Sequence, residues 1–208
     1  NLSNIKKFLK KHKIEACLIS KNNKFLNEIT SQRDNFLFKV SNFTGSLGYA
    51  LIYQKNQYLY VDGRYHQQAQ IQSKKFIIKD IFELKKDLVK FSKNKKKLLV
   101  DPKTFSYNFF ENYKLKKLLF FTPLKNKNFR EPISNLSKNL SGEEISEKIK
   151  KINLKINLKK NESFFITSPE NISWLGNIRV LKKKFNKILN CVAILEKNKF
   201  FIFTDYTI

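Results

Sequence analysis

The chain has 208 residues, of which 41% are hydrophobic, and a formal net charge of +25. That hydrophobic fraction is enough to fill a core, so we expect a globular chain and not an intrinsically disordered one. No run approaches the roughly 20 apolar residues of a membrane span, and no signal-peptide apolar core follows the basic N-terminus, so we expect a cytoplasmic protein.

The positive charge would ordinarily indicate nucleic acid, because lysine and arginine neutralise phosphates. The lysines are spread over polar helix faces and turns, however, and no recognised nucleic-acid motif accompanies them. We therefore expect no specific nucleic-acid partner and no membrane association. Cys17 and Cys191 lie in apolar, strand-like runs without metal-ligand spacing, which predicts two buried, reduced thiols.

Residues 1–125 alternate helical patterns with short apolar strands. An amphipathic helix opens the chain, a buried strand follows it, and residues 49–61 read as a hairpin with a four-residue turn. Further strands are predicted at 76–78, 98–100 and 119–121, and further helices at 82–91 and 107–118. This alternation predicts an α/β domain with a mixed sheet and helices on both faces.

The apolar periodicity disappears between residues 126 and 139, which predicts a linker. A second unit, residues 140–208, starts with a predicted helix at 141–160. Ser141 and Glu144 form its predicted capping box, and Glu144 with Lys148 and Glu147 with Lys151 are predicted to form favourable i,i+4 ion pairs. The final hairpin, at 191–203, resembles the first one, so we predict a linker followed by an incomplete second copy of a similar α/β domain.

The polar residues after the first hairpin are the candidate site. Asp62, Arg64, Tyr65 and His66 follow a strand end, where open α/β sheets commonly place function. Two interpretations remain: Asp62 caps the next helix and pairs with Arg64, or the cluster contacts substrate directly. The two histidines, His12 and His66, lack paired spacing, so we expect no zinc site built from this segment alone, and the sequence shows no recognised catalytic constellation.

Two stretches of the sequence stand out, and we call them the first and second signatures. The first signature carries Asn42, Phe43, Gly45, Gly48, Asp62, Gly63 and Tyr65. The second signature carries Trp174, Asn177 and Arg179 and is preceded by the helix that contains Lys148. Both stretches resemble the amino-terminal domains of Xaa-Pro aminopeptidases in the creatinase and prolidase superfamily. The matches fall in the family's order and extend over nearly the whole chain.

The resemblance implies a parent metallo-aminopeptidase that removes the first residue from peptides with proline second. Its two divalent metals, usually manganese, would lie in a carboxy-terminal domain, and this chain would be a non-catalytic segment without a cofactor. The segment would support a homodimer and line the entrance of the active site. Arg64, His66 and Arg179 are the candidates for controlling substrate access or for contacting the second subunit. The alternatives are a catalytically inactive peptide- or protein-binding module and a creatinase or proline dipeptidase relative.

Overall fold

The computed structural model describes the chain except for residues 31–33, 123–128, 131, 182–185, 198, 205 and 208. The chain divides into two compact units, Asn1–Lys125 (unit 1) and Asn126–Ile208 (unit 2). The division falls where the alternation of helical and strand patterns ends in the sequence. No helix of the described part is long and apolar enough to cross a membrane.

Unit 1 alternates helices and strands along the chain. In order they are α1 (Leu2–Lys11), β1 (Ala16–Ser20), α2 (Phe36–Ser41), β2 (Gly48–Tyr53), β3 (Gln57–Val61), α3 (His66–Gln72), β4 (Ile77–Asp80), α4 (Ile81–Lys93), β5 (Leu98–Val100), α5 (Tyr107–Asn112) and β6 (Leu118–Phe120). The strands form one sheet in the order β4-β3-β2-β1-β5-β6. The β1–β2 and β2–β3 pairs are antiparallel and the others parallel, which confirms the predicted mixed sheet.

Helices cover both faces of this sheet, as predicted. Leu9 of α1, Leu37 of α2 and Ala69 of α3 lie in the core on one face, where Cys17 is also buried. The other face carries a second core, to which α4 contributes its apolar residues. The helix predicted at 107–118 is shorter than expected, because Lys114 adopts a left-handed conformation (φ 51°) and redirects the chain into β6.

Unit 2 is built around a smaller antiparallel sheet. Its elements are β7 (Phe129–Arg130), β8 (Ile133–Asn135), α6 (Lys138–Ser141), α7 (Ile145–Ile156), β9 (Phe164–Ile166), α8 (Pro169–Leu175), β10 (Ile178–Val180), β11 (Cys191–Glu196), β12 (Lys199–Thr204) and β13 (Tyr206–Thr207). The main sheet has the order β12-β11-β9, and two short ladders join β10 to β8 and β13 to β7. The second predicted buried thiol, Cys191, lies in the core of this sheet.

The predicted linker at 126–139 is not a plain linker. Its described part contains β7, β8 and the first residues of α6, and β8 forms an antiparallel pair with β10. Backbone hydrogen bonds to a strand more than 40 residues later integrate this stretch into unit 2. Sequence periodicity misses such a strand, because three residues are too few to show alternation.

The helix predicted at 141–160 is also wrong in its extent. Gly142 ends α6 in the left-handed region (φ 77°), and α7 begins only at Ile145. Glu144 is the N-cap and forms the capping box with Glu147, so Ser141 does not cap this helix. The helix ends at Asn157, whose left-handed conformation (φ 49°) stops it before residue 160.

Unit 2 repeats the first part of unit 1. The order α1-β1-α2-β2-β3 recurs as α7-β9-α8-β11-β12, with β10 inserted. In unit 1, Ile19 of β1 lies opposite Ala50 of the hairpin, and in unit 2 Ile166 of β9 lies opposite Ala193. The two hairpins therefore carry the same antiparallel neighbour in the same register, which supports the predicted duplication.

Candidate functional site

The first cluster of signature residues surrounds Phe43, whose side chain has no exposed surface. A Cβ on Gly45 would lie 2.2 Å from the Cζ atom of this ring, and one on Gly48 would lie 3.0 Å from Cε1. The ring also contacts Tyr65 edge-on, with 5.8 Å between centroids. Gly45 and Gly48 are thus required by close approach of the ring, whereas a Cβ on Gly63 would meet nothing within 4 Å.

Asp62 begins the helical segment that follows the hairpin. Its Oδ1 accepts the backbone N–H of Arg64 at 3.0 Å and the Nε of the same residue at 2.8 Å. The side-chain and backbone hydrogen bonds from Arg64 hold the pKa of Asp62 below its usual value, and Asp62 raises the pKa of Arg64. The geometry agrees with the capping interpretation, while the Arg64 side chain stays 75% exposed.

A hydrogen-bond network ties the glycine-rich stretch to α3. The backbone N–H of Thr44 donates to Oε1 of Gln72 at 3.0 Å, and Gln68 Nε2 donates to Oγ1 of Thr44 at 2.7 Å. The hydroxyls of Ser46 and Tyr65 share a hydrogen bond of 2.9 Å. These polar groups satisfy one another, so the cluster acts as a structural turn.

The described residues offer few side chains that could act together as metal ligands. No group of three or more His, Cys, Asp or Glu side chains there could hold a metal ion. His66 Nε2 lies 3.7 Å from Oδ2 of Asp80, and the His12 ring lies against Phe8 on α1. The two histidines do not converge on one site, and the described part of the chain does not fit a metal centre.

The second signature cluster is organised by Lys148 of α7. This lysine is only 2% exposed, and its Nζ donates to the carbonyl oxygen of Trp174 at 2.8 Å and to Oδ1 of Asn177 at 2.5 Å. The ammonium also lies 4.4 Å from the centroid of the Trp174 ring. Asn177 in turn donates from Nδ2 to the carbonyl of Glu143 at 2.9 Å. Lys148 therefore links α7 to the end of α8 through neutral acceptors and an aromatic face.

Arg179 contacts the same helix end. Its Nη1 donates to the carbonyl oxygens of Ser173 at 2.9 Å and Ile178 at 2.8 Å. The last carbonyls of a helix lack intrahelical partners and carry the negative end of the helix dipole. Two signature cations, Lys148 and Arg179, thus satisfy carbonyl oxygens in the last turn of α8.

The sequence prediction missed the position of Lys148. It placed this residue in an i,i+4 ion pair with Glu144, whereas the observed ion pairs of this region join Lys138 to Glu147 and Lys151 to Glu143. Helical spacing could have predicted the burial of Lys148. Residue 148 lies three positions after residue 145 and four before residue 152, on the apolar stripe of α7. A lysine on that stripe must be buried with partners.

Each signature has an asparagine close to the end of the second helix of its unit. Asn42 is the C-cap of α2, and Asn177 lies one residue beyond Gly176, the C-cap of α8. Both asparagines adopt the left-handed conformation, with φ of 63° and 49°. Asparagine tolerates this region better than most residues. The two signatures therefore mark the same turn of the repeated fold, from the second helix of each unit into the next segment.

A third polar cluster, which the sequence did not reveal, lies between the hairpin and α4. Oδ2 of Asp87 accepts the Tyr60 hydroxyl at 2.7 Å and Nζ of Lys79 at 2.6 Å. Burial raises the pKa of Asp87, but the hydrogen bonds from Lys79 and Tyr60 outweigh it, and the pKa is below its usual value. Burial and the bond to Asp87 raise the pKa of Tyr60. The cluster borders a cleft of about 640 Å³.

Comparisons with known proteins agree with this architecture. A family model described as the creatinase/prolidase N-terminal domain matches residues 1–129, and a second model with the same description matches residues 122–207. A probable Xaa-Pro aminopeptidase P from Coprinopsis cinerea is 23% identical over 98% of this chain and 36% of its own length. Xaa-Pro aminopeptidase 1 from Dictyostelium discoideum is 23% identical over 97% of this chain and 36% of its own length.

A solved structure shares the fold of both units. The X-prolyl aminopeptidase from Caenorhabditis elegans, described as a cytosolic enzyme with a di-nuclear active site, has a TM-score of 0.79 at 20% identity and is covered over 38% of its chain. The alignment spans 98% of the present chain. The chain thus corresponds to little more than a third of the relatives that it matches, and it belongs to the creatinase/prolidase N-terminal domain family.

Proposed function

We propose that this chain is the non-catalytic amino-terminal segment of a cytoplasmic, metal-dependent Xaa-Pro aminopeptidase. The observation that carries the proposal is the match over both units, in order, to proteins named Xaa-Pro aminopeptidases. The whole enzyme removes the first residue from peptides that have proline second. Its two divalent metals, for which we propose manganese, are bound by residues outside the described part of this chain.

The roles of the polar side chains in the described residues support the proposal that this segment is non-catalytic. The described residues hold no group of metal-ligating side chains, and the acidic residue at the strand end, Asp62, is already used as a helix cap. The lysine and arginine of the second signature, Lys148 and Arg179, are directed at backbone carbonyls of α8. These groups organise the fold and leave bond cleavage to another part of the protein.

The segment itself is proposed to support a homodimer and to restrict access to the active site. Arg64 and His66 are its candidates for contact with a second subunit or a passing peptide, because the Arg64 side chain is largely exposed and His66 lies on the same segment. Arg179 is a weaker candidate for such contact, since its Nη1 donates to two carbonyls of unit 2.

The test compares the 208-residue chain with the full-length gene product, both supplied with manganese. We expect the full-length protein to release the first residue from a tripeptide with proline second and to leave a matched tripeptide with alanine second intact. The 208-residue chain should cleave neither. Hydrolysis by the 208-residue chain, or failure of the folded, manganese-loaded full-length protein to cleave, would reject the proposal, and the second outcome would favour a binding module.

A further inference from the structure

The segments at one end of the unit 1 sheet are strongly basic. Because β1, β3, β4, β5 and β6 all run in the same direction, the segments that precede them lie at the same end of the sheet. These segments, here called the basic pole, are residues 12–15, 54–56, 73–76, 94–97 and 113–117. Ten of their 20 residues are lysines, all of them exposed, whereas Glu15 is their one acidic residue.

Hydrogen bonds hold three of these segments side by side. The backbone N–H of Glu15 donates to the carbonyl oxygen of Lys97 at 3.3 Å, and that of Leu98 donates to the carbonyl oxygen of Lys117 at 2.9 Å. Nζ of Lys96 donates to Oε1 of Glu15 at 2.7 Å, so the acidic residue of the basic pole is already paired. The other nine ammonium groups form no ion pair with the described residues. Their positive charge is therefore not compensated within the described part of the chain.

The opposite end of the same sheet is close to neutral. The described segments there contain four basic and four acidic residues, and they comprise residues 21–30, 34–35, 42–47, 62–65 and 101–106. A bias of the whole composition toward lysine would raise the charge at both ends. The clustering at one end therefore needs a separate explanation.

Helix dipoles explain only part of the clustering. The helices α1, α3, α4 and α5 end at the basic pole, and a cation near the carboxyl end of a helix is stabilising. That effect falls off within the last turn, whereas Lys97 lies four residues beyond the end of α4 and Lys117 lies five beyond the end of α5. Like charges in one place repel one another and destabilise the folded state. A surface that concentrates them is suited to an anionic partner.

Two tyrosine rings adjoin the basic pole. Tyr53 and Tyr58 are half-buried, and they line the cleft of about 640 Å³ together with Lys55 and Lys96 of the pole. Their ring centroids are 6.1 Å apart and the rings are nearly perpendicular. A second hollow, of about 320 Å³, is lined by lysines of 94–97 and 113–117 and shares Lys96 with the cleft. Ammonium groups and aromatic rings therefore lie along one continuous surface.

We propose that the basic pole and the adjoining cleft bind single-stranded nucleic acid without preference for its base sequence. Lysines neutralise successive phosphates, and tyrosine rings stack on bases of any kind. An anionic membrane or an acidic peptide would use the lysines but would have no planar group to stack on the rings. In the sequence the lysines are dispersed over five segments, so only the fold reveals this surface. The inference does not rest on the proposed aminopeptidase function.

The test measures binding of a fluorescein-labelled RNA of about 12 uridines by fluorescence anisotropy, a length that suits a single binding fold. The 208-residue chain and the full-length gene product should both bind this RNA. If about five phosphates are contacted, raising the salt from about 50 to about 200 mM should weaken binding about 100-fold. Inorganic polyphosphate of matched length, which carries charge but no bases, should bind at least about fivefold more weakly than the RNA.

Two lysine variants of equal net charge separate the basic pole from the charge of the whole chain. Lys114→Gln, Lys116→Gln and Lys117→Gln, combined in one chain, should weaken RNA binding at least about tenfold. The matched control combines Lys85→Gln, Lys86→Gln and Lys103→Gln, which removes three exposed lysines of unit 1 outside the basic pole and should weaken binding less than about threefold.

A third variant tests stacking on the rings. Tyr58→Leu should weaken RNA binding about fivefold and leave polyphosphate binding unchanged. Circular dichroism verifies that each variant is folded. The lysine variants change only exposed side chains, so they keep the proposal testable if Tyr58→Leu fails to fold.

Four outcomes would overturn the proposal. Equal losses in the two lysine variants would show that binding follows net charge alone. Equal binding of RNA and polyphosphate would indicate a surface for polyanions in general. Tighter binding to phosphatidylserine vesicles than to RNA would indicate a membrane surface. Binding by the 208-residue chain that disappears in the full-length protein would show that the basic pole is covered there.

Discussion

Replacement of Lys148 by methionine should destabilise unit 2 selectively. Methionine keeps most of the volume of the lysine stem but removes the ammonium. That change takes a donor away from the Trp174 carbonyl, 2.8 Å away, and from Oδ1 of Asn177, 2.5 Å away. Asn177 is 3% exposed, so water cannot readily replace the lost donor.

The expected magnitude follows from these contacts. Hydrogen bonds to a charged group contribute about 1.5–3 kcal/mol each, and a buried acceptor left without a donor costs about 1–3 kcal/mol. The contact with the Trp174 ring adds about 0.5–1 kcal/mol. Methionine avoids the cost of desolvating an ammonium, which offsets part of the loss. We expect a net decrease in the unfolding free energy of unit 2 of about 2–3 kcal/mol.

The assay is urea unfolding followed by tryptophan fluorescence. Trp174 is the only tryptophan of the chain, so its emission reports on unit 2. With a slope of about 1–1.5 kcal/mol per molar urea, the midpoint should fall by about 2 M. The matched control is Lys150→Met, which removes an exposed lysine of the same helix and should change stability by less than about 0.5 kcal/mol.

A double-mutant cycle makes the reasoning refutable. Because Lys148 and Asn177 share a hydrogen bond, Lys148→Met and Asn177→Ala together should cost less than the sum of the single changes. The account of Lys148 is wrong if Lys148→Met has no larger effect than Lys150→Met, or if the two losses simply add.

Two further predictions concern unit 1. Gly45→Ala places a methyl group against the Phe43 ring and should cost about 1–3 kcal/mol, whereas Gly63→Ala should cost less than about 0.5 kcal/mol. Hydrogen exchange of the β2 amides measures the loss of stability in each variant. Equal losses in the two variants would contradict the explanation that Gly45 is required by packing against Phe43. Since the pKa of Asp87 is depressed by folding, its stabilising contribution is present above the ordinary carboxyl pKa and is lost as pH falls below it. Tyr60→Phe removes one hydrogen-bond donor of Asp87, so the pKa of Asp87 should be depressed less. The unfolding free energy, measured by urea titration, should therefore fall less between about pH 5 and pH 2 in this variant than in the native chain. An equal fall in both proteins would contradict this account of Asp87.

Local patterns predicted the elements that carry strong periodicity. The hairpin at 49–61 has continuous apolar strands and a polar turn, and the structure forms β2 and β3 there. The short helix α2 and the β8–β10 ladder were not predicted, because six and three residues are too few to show a period. Gly142 and Asn157 shortened α7 through left-handed conformations that a stripe of isoleucines does not reveal.

In the candidate site, too, contacts between neighbours in sequence could be predicted and contacts between distant residues could not. The capping role of Asp62 depends on residues two positions apart, so sequence could predict it. The contacts of Lys148 with Trp174 and Asn177 join residues more than 25 positions apart, and only the packing of α7 on α8 creates them. The bond between Tyr60 and Asp87 likewise depends on α4 lying over the sheet.

The most direct test of the central claim is the number of manganese ions bound per chain, measured by elemental analysis after dialysis. The account predicts that the folded 208-residue chain retains no manganese, because its described residues offer no ligand cluster. The full-length protein should retain two per chain, as in a di-nuclear centre like that of the Caenorhabditis elegans enzyme. Stoichiometric manganese in the 208-residue chain, or none in the folded full-length protein, would contradict the account.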